Sequence, residues 1–507
     1  MSQPVVDPLP SRVAEIGIDS APPSLAEVAS PESSTGRAVR SGAYTLGGFV
    51  GLQVLKLGGN VLLTRMLPRE AFGLMAIVYT VMTGFGLFSD LGIGPSIVQN
   101  PRGDDPKFLN TAWTIQLFRG TVLFVLTGIV ALPVAHFYAL PELATLLPVA
   151  ALTALMGGLN STKVETAERH MRLGKLTLID VFSQVVATAV MLVWAYLSPS
   201  VWALIWGGLS GSFISLVLGH LMLTGHNARP GWEKAAAREL MKFGRWVFIS
   251  TMLTFCVNYA DRMIFGKVIP VALLGVYSIA LTVSSVPTLA MRSLTGKVMF
   301  PLFSRVSNEG SELREVFRKA RRLHMVLSGW TLSGFIGGGA VAIHLVYDER
   351  YQDAGWMVQL LALGGWFATP EAANTAAMLA RGKPLWMAAV NSAKLIGMFT
   401  LIPLGFYLGG FPGALTGFVA SELFRYALSA FGTYRLRLPA LRQDLGFSAV
   451  LAVASLLGWL STQALEAAGS HVITQALAVF VVVTLAWLPW LLPYIRMVLD
   501  KVRARLA

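Results

Sequence analysis

Residues 251–287 read TMLTFCVNYADRMIFGKVIPVALLGVYSIALTVSSVP. The stretch is apolar enough to lie in a bilayer, yet it carries Asn258, Asp261 and Arg262 close together. Ionisable side chains at membrane depth are costly and face a protein interior or a wet cavity. Thr251, Thr254, Asn258 and Arg262 stand at helical offsets 0, 3, 7 and 11, so they share one face. The stretch reads as two spanning helices joined at Pro270, the first forming one wall of a polar cavity.

The rest of the chain agrees with a membrane setting. Its 507 residues are 54% hydrophobic and only 13% charged, about half the charged fraction of a soluble domain. Apolar runs of roughly 20 residues recur, each long enough to cross the hydrocarbon layer as a helix. Open sheet edges cannot sit in lipid, so the expected class is all-α and polytopic. About fourteen spans are predicted, near 41–64, 74–98, 111–138, 142–159, 177–197, 201–223, 244–265, 270–295, 323–346, 355–380, 385–409, 411–434, 448–465 and 473–495.

The net charge of +13 follows from topology and does not imply nucleic acid. With the N-terminus inside, the connections on that side hold 29 of the 40 Lys and Arg, and the opposite side holds Arg65, Arg69, Lys267 and Arg350. Cytoplasmic loops collect cations, so both termini are expected in the cytoplasm. Residues 1–36 read as a Pro/Ser-rich disordered tail without a secretory h-region. The basic inner loop at 293–323 reads as an amphipathic helix lying on the leaflet, or as a linker helix in solvent.

An internal repeat sets the domain plan. The first span ends LGGNVLLTRMLPREAFGLMAIVYTV and the seventh ends CVNYADRMIFGKVIPVALLGVYSIALTV. Each gives Asn, then Arg, then a Pro-containing turn, then Gly in the next helix. Gln53, Lys56, Asn60 and Thr64 repeat the 0, 3, 7, 11 polar stripe. The expected plan is therefore two parallel six-helix lobes, 37–223 and 244–434, an inter-lobe linker at 224–243, and two further helices in 435–507.

Four cations lie too deep to snorkel. Lys56 is about 22 Å into its helix, Arg425 about 20 Å, and Arg119 and Lys394 about 12–14 Å. Fixed cations in a cavity replace the lost hydration of a phosphate or diphosphate, and Arg grips such oxygens bidentately. Lys56, Arg119, Lys394 and Arg425 are thus the candidate substrate cations, with Gln53, Asn60, Thr254 and Asn258 as polar lining. Asp261 and Arg262 are expected at the outer rim or gate. Asp261, Glu371 and Glu422 are candidate coupling carboxylates for an H+ or Na+ gradient. The bland alternative for the neutral groups is interhelical hydrogen bonding.

Catalytic signals are missing from the sequence. It has no HExxH, GxSxG or GxxxxGK[ST] pattern, and its one cysteine, Cys256, excludes an internal disulfide and CxxC chemistry. No cofactor or metal is expected, and the chain does not read as an enzyme.

Three stretches carry a family resemblance: LLTRMLPREAFGLMAIVYTV with FSDLGIGPSIVQ, TKVETAERHMRLGKLTLIDVFSQ, and NYADRMIFGKVIPVALLGVYSIALTVSSVP with FPLFSRV. Together the chain resembles the Wzx-like oligosaccharide flippases of the multidrug/oligosaccharidyl-lipid/polysaccharide exporter superfamily. The resemblance implies two lobes, alternating access to a central cationic cavity, and a bacterial plasma-membrane location. The implied substrate is an undecaprenyl-diphosphate-linked oligosaccharide for exopolysaccharide, capsule or O-antigen (lipopolysaccharide) synthesis, with membrane lipids and a polysaccharide polymerase and export machinery as partners. A peptidoglycan lipid-precursor flippase and a multidrug or cation antiporter are the neighbouring readings.

Overall fold

The computed structural model describes residues 51–308 and 313–506. The expected tail at 1–36 lies outside the described residues. The described chain is built from helices alone, with no strand. In order they are α1 (51–66), α2 (Arg69–Phe88), α3 (Ile93–Gln99), α4 (Pro106–Tyr138), α5 (Leu143–Ala150), α6 (Leu152–Leu159), α7 (Lys163–Arg169), α8 (Leu173–Leu197), α9 (Trp202–Met222), α10 (Lys234–Val268) and α11 (Val271–Leu294). A π turn, Thr295–Met299, leads into α12 (Phe300–Asn308). Then come α13 (Leu313–Val346), α14 (Ala354–Ala380), α15 (Leu385–Arg435), α16 (Leu441–Ala467) and α17 (Val472–Leu506).

Nine described helical stretches are long and apolar enough to cross a membrane, or ten when the bent pair α5–α6 and α7 is taken as one. The outside of the bundle is apolar: Phe118, Ile129, Leu132, Tyr196, Phe480 and Leu485 are all more than half exposed. In water such a surface would aggregate; in lipid it is the solvated face.

Two sequence expectations change in detail, and the meeting point of the eleventh and twelfth spans gains its geometry. The second span is interrupted rather than continuous over 74–98. The Asp90 carboxylate accepts from the Gly92 amide at 2.9 Å, and Gly92 takes a left-handed φ of 60°, so the helix stops at Phe88 and restarts at Ile93. The eleventh and twelfth spans form one hairpin, α15, which turns at Gly409 and at Gly410, where φ is 60°. Its arms lie so close that a Cβ on Gly405 would overlap the Gly413 carbonyl, and one on Gly417 the Leu401 carbonyl. The basic loop at 293–323 does not lie on a leaflet by an apolar face. α12 continues α11 through the π turn, and Phe303 and Phe317 are buried against Ala373, Ala376 and Ala377 of α14. The apolar face built around Phe303 and Phe317 is covered by protein, which neither the leaflet nor the linker reading anticipated.

The internal repeat gains a firm register. Aligned on Pro68 and Pro270, Gly73 matches Gly275, Arg65 matches Lys267, and Asn60 matches Arg262 rather than Asn258. Contacts follow this register. A Cβ on Gly73 would overlap the Val271 carbonyl, and a Cβ on Gly275 would overlap the Arg69 carbonyl. The start of α2 thus meets the start of α11 by a self-complementary, pseudo-two-fold contact. Arg65 donates to the Val346 carbonyl at the end of α13 (3.5 Å), and Lys267 donates to the Phe137 carbonyl at the end of α4. Each cation meets orphan carbonyls at a helix C-terminus, where positive charge is favoured. Arg350 adds bonds from the α13–α14 connection to the Thr64 (2.9 Å) and Leu67 (3.4 Å) carbonyls.

At the other end, Arg102 clasps the connection before α10. It pairs with Asp105 at 2.6 Å, Glu233 at 2.7 Å and Glu239 at 3.4 Å. The hydrogen bond from Arg102 holds the Asp105 carboxyl below the usual carboxylate range.

The crossing at Gly73 and Gly275 makes a stability prediction. Gly275→Ala should lower the thermal midpoint by several degrees, from an overpacking cost of about 1–3 kcal/mol. Gly128→Ala, in α4 with nothing within 4 Å of the added carbon, should leave it unchanged or raise it slightly. Thermal unfolding of the purified variants in detergent checks both; equal midpoints for the two would refute the close approach.

Candidate functional site

α10, α11, α14 and the α15 hairpin enclose the densest buried charge in the described residues. α15 places Lys394 on its first arm and Glu422 and Arg425 on its second. Lys394 Nζ lies 2.5 Å from Glu422 Oε1. Arg425 lies 3.0 Å from Glu371 Oε2 of α14 and 3.7 Å from Glu422 Oε2. Thr375 donates to the remaining Glu371 oxygen at 2.7 Å. All four charged residues are at most 8% exposed. An unpaired charge at such a site would cost several kcal/mol, and this reciprocal pairing is what makes the cluster tolerable.

The pairing leaves a positive excess. Arg292 of α11 lines two cavities beside the cluster. One, about 420 Å³, includes Thr254, Asn258, Glu371 and Arg425; the other, about 370 Å³, includes Asp261, Arg262, Lys394 and Glu422. Counting Arg262, Arg292, Lys394 and Arg425 against Asp261, Glu371 and Glu422 gives four cations to three acids. Arg292 is exposed to this space, whereas the two α15 cations are walled by carboxylates.

Asp261 is 2% exposed and accepts from the Tyr277 hydroxyl of α11. Its sequence neighbour Arg262 lies 3.9 Å away, donates to the Asn258 carbonyl at 2.9 Å, and stacks 5.1 Å from the Tyr259 ring. Arg262, expected at the rim, lines the cavity instead. Eight residues, or about 12 Å of helix, separate it from Pro270 and the close contact there. Asn258 donates to the Thr254 carbonyl and keeps its side chain on the same wall.

The other expected cations stand elsewhere. Arg119 lines a separate cavity of about 550 Å³ in the first half, with Asp90, Gln116 and Glu165. Its guanidinium donates to Ser89 Oγ at 2.9 Å and to the Gly86 carbonyl at 2.6 Å, so it serves the C-terminus of α2. Lys56 is exposed on α1, within electrostatic reach of Asp180 on α8, and lines none of these cavities. Gln53 is half-buried on the same helix. Asn60 accepts from the Tyr347 hydroxyl at 3.4 Å, near the Pro68 end.

Arg292 and Tyr277 are not among the site residues expected from the sequence. The π turn is one reason: α11 runs on through it into α12, so Arg292 sits within a longer helix. Tyr277 stands 16 residues after Asp261, and no local spacing rule links them.

Residues 62–356 match the polysaccharide biosynthesis protein family. That is more than half of the chain. The chain belongs to this family. It is 22% identical over 326 residues to the teichuronic acid biosynthesis protein TuaB of Bacillus subtilis, a match covering 62% of this chain and 66% of TuaB. It is 20% identical over 385 residues to the lipopolysaccharide biosynthesis protein WzxC of Escherichia coli, covering 75% and 77%. Among solved structures, the lipid II flippase MurJ in its inward closed conformation aligns with a TM-score of 0.70 at 11% identity, over 90% of this chain and 99% of that one. The fold is therefore the one seen in MurJ, and the protein is a multi-pass membrane protein of polysaccharide biosynthesis, as the Wzx-like resemblance implies.

The ion pairs predict a non-additive pattern. Glu422→Gln strands Lys394 and weakens Arg425, and should destabilise by about 3–5 kcal/mol. Adding Lys394→Met should restore most of that loss. A double-mutant cycle by chemical unfolding reads the coupling; additive losses would mean the two side chains do not pair.

Proposed function

We propose that this family member carries a lipid-linked oligosaccharide across the bacterial plasma membrane, from the inner to the outer leaflet. The observation that carries the reading is the positive excess around Arg262 and Arg292 beside a paired charge cluster. The anchor such a substrate presents is a diphosphate. Its oxygens take guanidinium forks well, and a low-dielectric wall strengthens that attraction. The exposed Arg292 and the cavity face of Arg262 make first contact. Lys394 and Arg425 exchange part of their pairing with Glu422 and Glu371 for the incoming phosphate. The polyprenyl tail stays outside, against the apolar helix faces, while the sugars occupy the polar cavity.

In this reading the two lobes, 37–223 and 244–434, rock so that they alternately close and part at the crossing of α2 and α11. Arg65, Lys267 and Arg350 then form the releasable part of the seal at the Pro68 end, because each holds backbone carbonyls and no carboxylate across the interface. That end faces outward, and the termini are cytoplasmic, where the basic connections lie. An ion gradient acting on Asp261, Glu371 or Glu422, or removal of product by a polymerase, drives the cycle. A cationic-drug antiporter would present surplus acid to this space, and the surplus here is basic.

The experiment is deletion of the gene with assay of lipid-linked intermediates by leaflet. Accumulation on the cytoplasmic face with loss of surface polysaccharide is expected. Complementation with Arg292→Gln or Arg262→Gln should lower export at least ten-fold at unchanged protein level. Normal polysaccharide in the deletion strain, or full export by both variants and by Arg425→Gln, would sink the proposal.

A further inference from the structure

The second half holds one more cation cluster, outside the cavities above. α13 contributes Arg318, Lys319 and Arg322, α16 contributes Arg442 and Gln443, and α17 contributes Trp490 to a groove of about 630 Å³. All four cations are exposed. The floor is aromatic: Phe447 stacks on Trp487 at 6.0 Å, and Trp487 meets Trp490 edge-on at 6.1 Å.

The acid at this corner is already spent. Asp444 is paired with the fully buried Arg321, and its other oxygen accepts from the Tyr426 hydroxyl at 2.7 Å. Lys319 is matched by Glu315 at 2.6 Å. Among the described residues, no carboxylate lies within ion-pair distance of Arg318, Arg322 or Arg442. Among the described residues, three guanidiniums without an ion-pair partner therefore share one groove and repel one another, with Glu315 offsetting Arg318 only from beyond ion-pair distance. An anion relieves that repulsion. Inorganic phosphate would satisfy the rim but leave the aromatic floor wet. A headgroup bearing acyl chains satisfies both, and the groove lies at the end of membrane-length helices, where headgroups sit.

We propose that this groove is a binding site for an anionic glycerophospholipid. Arg318, Arg322 and Arg442 hold the phosphate, and the first acyl carbons lie along Phe447, Val450 and Trp490. The site is independent of the substrate cavity, so it stands or falls apart from the transport reading.

Native mass spectrometry of the full chain in detergent, titrated with phosphatidylglycerol or phosphatidylcholine, tests it. Phosphatidylglycerol should bind at least ten-fold tighter than phosphatidylcholine. The triple variant Arg318→Gln, Arg322→Gln, Arg442→Gln should lose that preference, while Arg381→Gln, at the same end of the bundle, keeps it. If the triple variant does not fold, Arg442→Gln alone should weaken binding about three-fold. Equal binding of the two lipids, wild-type binding by these variants, or displacement of the lipid by millimolar inorganic phosphate would overturn the assignment.

Discussion

The crossing of α2 and α11 is the contact on which the arrangement of the two repeats depends. Each helix starts one residue after a proline, and each carries a glycine five residues after it. A backbone carbonyl of the opposite repeat fills the place where each side chain would be. Side chains larger than hydrogen would force the helices apart, since ordinary pairs sit 8–10 Å from axis to axis. Such closeness draws in the flanking parts. Phe72 meets Tyr351 edge-on at 6.2 Å, and Tyr277 packs against Phe265 and Phe411. One end of the bundle is thereby closed by van der Waals contact, with polar bonds only at its margin.

That division of labour bears on how such an end could open. An apolar crossing has no buried hydrogen bonds to strand when its halves part. The polar bonds at the margin run from flexible cationic side chains to helix-terminal carbonyls, which water can satisfy equally well. Separation then costs mainly packing, a cost that can be recovered elsewhere when the opposite end closes. A seal of buried ion pairs would behave otherwise, because each charge exposed to an incomplete partner carries a large penalty. The structure keeps its buried ion pairs away from this crossing, among α14 and the α15 hairpin and between Arg321 of α13 and Asp444 of α16, where parting of the repeats leaves them intact.

Much of this was legible in the sequence, and what was missed has physical causes. The all-helical membrane class follows from apolar runs alone, because lipid permits few alternatives. The repeat was visible through its prolines, but its register was not. Matching Asn60 to Asn258 maximises chemical likeness, whereas packing obeys the proline-to-glycine spacing, since sterics at a crossing are less forgiving than polarity on a wall. Depth correctly singled out Lys394 and Arg425 as buried. It could not show that Lys394 is paired across a hairpin, because Glu422 lies 28 residues away in sequence. Depth also made Arg119 resemble them, although its guanidinium is engaged with the end of a neighbouring helix. Arg292 carries no depth signal in the sequence, because the apolar run ends near it while the helix runs on through the π turn. The break at Gly92 is readable in principle from the Asp-Leu-Gly triplet, a local turn signal embedded in a long apolar run.

The pairing of the α15 cations also bears on how strongly the site should hold an anion. Four bare cations at low dielectric would bind a diphosphate tightly, and a transporter that binds too tightly releases slowly. Glu371 and Glu422 lower that field by competing for the same guanidinium and ammonium groups. On the proposed function, an arriving phosphate displaces a carboxylate bond for much of what it gains, so affinity is moderated while charge selectivity is kept. Arg292, lining both cavities and open to them, has the weakest local compensation and is suited to the first encounter. A permanent counter-charge within the site also keeps the empty protein stable, since neither Lys394 nor Arg425 is stranded when the ligand leaves. On this argument the acids near the cavity matter as much to turnover as the bases, because they set the ease of release.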